Sequence, residues 1–69
     1  MLIVAQKALV DILMQKKMSC RDLELASGVT SAVIARLTRQ DSRCRIQTVA
    51  KIADALNVDY RDLLKGGIL

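Results

Sequence analysis

Met18-Ser19-Cys20-Arg21-Asp22-Leu23-Glu24-Leu25-Ala26-Ser27-Gly28-Val29-Thr30-Ser31-Ala32-Val33-Ile34-Ala35-Arg36-Leu37 reads as two short helices joined by a glycine turn. Ser19 has the side chain of an N-cap, and Asp22 three residues on can return the bond to the Ser19 amide as a shortened capping box. The helix so started carries Leu23 and Ala26 toward a core and ends at Gly28. A glycine there takes the left-handed conformation that turns the chain sharply. Thr30 then caps the next helix, in which Val33, Ile34 and Leu37 supply apolar contacts while Arg36 points elsewhere.

Upstream, residues 2–17 read as one helix, with Leu2, Ala5, Leu9, Ile12 and Leu13 on one side at helical spacing. A second stripe of Ile3, Val10 and Met14 exceeds what one buried face requires. Downstream, Arg39 to Cys44 has no periodicity and reads as a loop. Ile46, Val49, Ile52, Ala53 and Leu56 form the inward stripe of a fourth helix that Asn57 stops. Asp59, with Asp62 as its capping-box partner, starts a last short helix presenting Leu63 and Leu64 and ending at Gly66-Gly67. These five helices, with short connections, leave no room for a sheet, and the expected class is all-α.

The composition agrees. Of 69 residues, 52% are apolar, with Tyr60 the one aromatic residue and proline absent, a palette that favours helices over a β-sandwich. The net charge is +4, and +3 of it falls within residues 36–45, where Arg36, Arg39, Arg43 and Arg45 face only Asp41. Such a cluster suits a polyanion. Without histidine or a Cys-x-x-Cys pair, no metal site is expected, and Cys20 and Cys44 fit free thiols in a reducing compartment. The apolar start is too short for a signal peptide or a membrane span, so the expected location is the cytoplasm. The carboxylates form no acid/base pair, and no enzyme, cofactor, small-molecule ligand or membrane role is expected.

On Met18 to Leu23, Ala26 to Ser31, Ile34 to Leu37, Thr48 to Val58 and Asp59 to Leu64, the chain resembles the Cro/CI-type (XRE) helix-turn-helix family of phage repressors and related bacterial regulators. The likeness runs over roughly residues 8–65 without a gap. It implies a compact five-helix, lambda-repressor-like DNA-binding domain, single over 1–69, with the motif at about 19–39 and a tail at 66–69. It also implies that the second helix of the motif enters the major groove, with Ser31, Ala32, Ala35 and Arg36 as the base contacts. An arginine at 36 can donate two hydrogen bonds to a guanine, and Ala32 can touch a thymine methyl.

Phosphate contacts are expected from the helix N-terminus at Ser19, Cys20 and Arg21, and from Thr30, Arg39, Arg43 and Arg45. Three departures from the family's habit stand out. Glu24 replaces a common alanine, Cys20 replaces a common phosphate-binding glutamine, and the loop has Gln40 and Cys44 in place of the usual glycine and proline.

The expected function is a sequence-specific transcriptional regulator, a repressor, binding a palindromic operator as a homodimer. Candidate dimer residues are Ile3, Val10 and Met14 on one surface, and Tyr60, Leu64, Ile68 and Leu69 on another. The alternative is a protein-interaction module, such as an antitoxin-like partner, motivated by the surplus apolar surface of the first helix. Gly66-Gly67 would also suit the start of a linker to a further domain.

Overall fold

Two three-residue strands and a 3-10 turn interrupt what the sequence reading takes to be five helices. The structure, a computed structural model, describes residues 2–65. It comprises β1 (Leu2–Val4), α1 (Gln6–Lys16), α2 (Cys20–Ser27), α3 (Ser31–Arg39), β2 (Ser42–Cys44), α4 (Ile46–Leu56) and a 3-10 helix (Tyr60–Leu63). Among the described residues, the five-helix, sheet-free expectation is therefore corrected to four α-helices, a two-stranded sheet and one 3-10 turn. The expected helix end at Gly66-Gly67 lies outside the described residues, as do Ile68 and Leu69.

The strands come from the two segments whose reading the structure overturns. The sequence pattern puts Leu2–Val4 in the first helix and Ser42–Cys44 in the loop, but they pair antiparallel, Leu2 with Cys44, Ile3 with Arg43 and Val4 with Ser42. The two-residue alternation of a strand sorts their side chains. Val4, Ser42 and Cys44 are buried and Leu2 packs on the core, while Ile3 and Arg43 point outward. Ile3 thus belongs to the sheet's outer face and not to a helical stripe with Val10 and Met14. The other edge of β1 is also in use: Val4 bridges Leu64, the Lys65 amide donates to the Ile3 carbonyl at 2.9 Å, and the Ala5 amide donates to Leu63 at 2.7 Å.

Local signals set most helix ends. Ser19 Oγ accepts from the Asp22 amide at 3.1 Å and Asp22 Oδ2 from the Ser19 amide at 3.0 Å, completing the capping box. Those bonds, the backbone one foremost, hold the Asp22 carboxyl below its usual range. Gly28 closes α2 at φ 75°. α1 and α4 end alike, on Lys17 (φ 56°) and Asn57 (φ 57°). Met18 donates to Leu13 and Val58 to Ala53, satisfying carbonyls left over by the last turn.

Other expected caps differ. Thr30 holds the N-cap position of α3 without a side-chain bond. Asp59 caps through the Arg61 amide, with no capping-box bond from Asp62.

The core draws Leu9 and Leu13 from α1, Leu23 from α2, Ile34 and Leu37 from α3, and Val49, Ile52, Ala53 and Leu56 from α4, closed by Leu63. Two expected core contributors are corrected. Ala26 is exposed, and Ile46 is 63% exposed. Ile46 is the first residue of α4, where the chain enters from β2, and the inward stripe begins one turn later at Val49. α2 packs across α4 and α3, and α1 packs on α3, so the outward side of α3 is left uncovered.

Candidate nucleic-acid interface

With Ile34 and Leu37 turned into the core, α3 must present the positions between them to solvent, because a helix repeats every 3.6 residues. Ser31, Ala32, Arg36 and Arg39 are exposed and Ala35 is half-buried. Ala32, Ala35, Arg36, Arg39 and Gln40 line one shallow concavity. The two alanines keep the floor low and the two guanidinium groups flank it, so a polyanion can approach the helix closely while meeting positive charge.

A second concavity extends from α3 to the start of α4 and is lined by Val33, Arg36, Arg43, Cys44, Arg45 and Thr48. The sheet builds it. Alternation along β2 turns Arg43 outward and Cys44 inward, and Arg45 follows in extended conformation as the N-cap of α4. A third is lined by Arg36, Gln40, Asp41, Ser42 and Arg43. Arg36 borders all three.

Among the described residues, none of Arg36, Arg39, Arg43 and Arg45 is held in an ion pair. The one carboxylate in their window, Asp41, is engaged elsewhere, by Lys65 Nζ at 2.6 Å and the Gln6 amide at 2.8 Å. Those two bonds, the Lys65 one first, hold the Asp41 carboxyl below its ordinary range. Four cations are thereby left to act on an incoming phosphate chain. Burial pushes the Cys44 thiol up, against the pull of the adjacent Arg36 guanidinium, so Cys44 stands beside Arg36 as a neutral group.

The sequence-predicted residues separate into groups. Ala32, Ala35, Arg36 and Arg39 come together on α3, and Arg43 and Arg45 join Arg36 across the second concavity. Ser31, Ser19, Cys20, Arg21 and Thr30 are exposed but line none of the three concavities. At the α2 N-terminus the chain's own Asp22 carboxylate already occupies the positive end of the helix.

Gln40 and Thr48 were not predicted. Thr48 sits in the first turn of α4, three residues after Arg45, and that adjacency to the basic segment was the available signal. Of the dimer candidates, Val10 and Met14 lie one turn apart on α1, Ile3 lies opposite Arg43, and Tyr60 is exposed. Leu64 is partly buried against the core. Among the described residues, no three His, Cys, Asp or Glu side chains cluster as metal ligands, and no helix is long and apolar enough to cross a membrane.

A model of the Cro/C1-type HTH DNA-binding domain matches residues 8–65, which runs from α1 through the 3-10 turn. The chain belongs to this family. Comparison with curated proteins and with solved structures finds no match. Family membership supports a DNA-binding regulator, with α2 and α3, joined at Gly28, as the candidate helix-turn-helix and the basic outer side of α3 as the candidate contact surface.

Proposed function

We propose that this helix-turn-helix domain is a sequence-specific transcriptional repressor that binds a palindromic operator as a homodimer. The observation that carries the reading is Arg36, exposed on α3 at the junction of three basic concavities and beside the low surface of Ala32 and Ala35. In this reading α3 enters the major groove. Ser31, Ala32, Ala35 and Arg36 meet base edges, and Arg36 takes a guanine through O6 and N7.

Arg39, Arg43, Arg45 and Thr30 hold phosphates, as do Ser19, Cys20 and Arg21 at the start of α2, and each contact adds about 0.9 to the log–log salt slope. Two copies place their α3 helices about 34 Å apart, in successive major grooves on one face of the duplex. Repression then follows from occupancy, in the cytoplasm, with the whole chain acting as one domain.

The test is selection of bound sites from a random duplex pool at two salt concentrations, alongside Arg36→Ala. A palindromic site whose guanine preference relaxes in the variant supports the proposal. Enrichment of no site, with binding that vanishes at modest salt, refutes groove reading. A second reading, a module that neutralises another protein, draws on the exposed apolar side chains Met14 (72%) and Leu25 (71%). It predicts a stable protein complex and no salt-dependent DNA binding.

A further inference from the structure

Ala5 stands at the N-cap of α1 and has no side chain with which to cap it. The first amides of that helix need an acceptor, and one arrives from 35 residues away: Asp41 Oδ1 takes the Gln6 amide at 2.8 Å. A carboxylate suits the site because the helix N-terminus carries partial positive charge. The other oxygen of Asp41 holds Lys65 Nζ, and the Lys65 amide is bonded to Ile3 on β1. Gln6 completes the link by donating its side-chain Nε2 to the Thr38 carbonyl at 3.1 Å, one of the carbonyls that the last turn of α3 leaves unpaired. The start of α1, the end of α3, β1 and the segment after the 3-10 turn are therefore all tied at the point where the basic stretch leaves α3.

We infer that Asp41 is a positioning residue for the DNA-facing segment 39–45: its carboxylate fixes where Arg39, Arg43 and Arg45 stand, so that removing this acid weakens DNA binding. The sign is what distinguishes the role. By charge alone, deleting an acid among four arginines strengthens attraction to a phosphate backbone. A clamp gives the opposite result, because the arginines it positions lose register with the phosphates.

The inference rests on the DNA reading above, and its test separates the two. Duplex affinity and salt slope are compared for the unaltered chain, Asp41→Ala, Asp41→Asn and Asp54→Asn, together with backbone amide exchange in the absence of DNA. Asp54 is an exposed acid on α4 and reports the effect of charge alone. Loss of one phosphate contact lowers the slope by about 0.9 and the affinity about eightfold at roughly 0.1 M salt, relative to a 1 M reference.

Asp41→Ala is expected to fall by about that factor while Asp54→Asn binds as well or better. Asp41→Asn, which keeps an acceptor for Gln6, is expected in between. Amides of residues 42–44 and of Gln6 should exchange faster in Asp41→Ala while those of α4 stay protected. Tighter binding by Asp41→Ala, matching Asp54→Asn, overturns the inference. If the unaltered chain binds no duplex, the DNA reading fails on its own. The clamp then stands or falls on exchange, and unchanged protection at residues 42–44 overturns it.

Discussion

Arg36 and Leu37 are neighbours in sequence and opposites in environment, so replacing each by alanine should separate function from folding. Leu37 is fully buried, and Leu→Ala in such a site costs about 2–5 kcal/mol, the transfer of the side chain plus the cavity it leaves. At roughly 0.05–0.15 kcal/mol per residue, the whole domain holds only about 3–10 kcal/mol. Each kcal/mol shifts the midpoint by about 4–8 °C in a domain of this size, so Leu37→Ala should melt at least about 8 °C lower, or not fold at 25 °C.

Arg36 is exposed and, among the described residues, held by no ion pair. Its replacement should move stability by no more than about 0.5 kcal/mol. On the proposed operator the same change removes a bidentate guanine contact of about 1–3 kcal/mol, or about 5- to 150-fold in affinity. Thermal unfolding followed by helical circular dichroism and titration of the selected site measure the two quantities on one preparation. A large drop in melting temperature for Arg36→Ala would show that its packing beside Val33 and Cys44 is structural. Unchanged operator affinity in a folded Arg36→Ala would refute its role in recognition.

Capping offers a second contrast: Ser19→Ala should cost about 1 kcal/mol in denaturant unfolding because Ser19 bonds the Asp22 amide. Thr30→Ala should cost less, since the Thr30 side chain makes no capping bond. Asp59, held to a pKa of about 2 by side-chain and then backbone bonds from Arg61, gives a pH dependence of known sign. Its folded pKa lies below the unfolded carboxylate value, so its contribution is complete above about pH 4 and is lost as the pH falls toward 2. The pair is exposed, so the effect should be small and weakened by salt, and Asp59→Asn should flatten it in melts taken across that window. The cysteines should react in order: Cys20 is exposed, whereas Cys44 is buried with its pKa raised, so a thiol reagent should label Cys20 first and Cys44 only on unfolding. Peptide mapping after brief labelling checks this, and early labelling of Cys44 would contradict its burial.

Much of what a few consecutive residues can settle was legible in the sequence, although the expected side-chain cap at Thr30 and the capping box of Asp59 and Asp62 do not form. Ser19 and Asp22 form their capping box within one turn, Gly28 accepts the positive φ that ends α2, and Asn57 does the same for α4. The exposure of Arg36 follows from Ile34 and Leu37 facing inward, because helix geometry leaves it no alternative. The sheet was not legible. Three residues are too few to reveal a two-residue period, and Leu2–Val4 continues the apolar spacing of α1 smoothly enough to pass for its first turn.

What makes Leu2–Val4 a strand is a partner some 40 residues along the chain, with the segment after the 3-10 turn on its other edge. The same distance hides Asp41, which in sequence is one acid among arginines and in the fold caps α1 from 35 residues away. Local hydrogen bonds and helical period are encoded where they act. Strand pairing and a cap supplied across the fold exist only once the core of α1, α3 and α4 has brought those segments together.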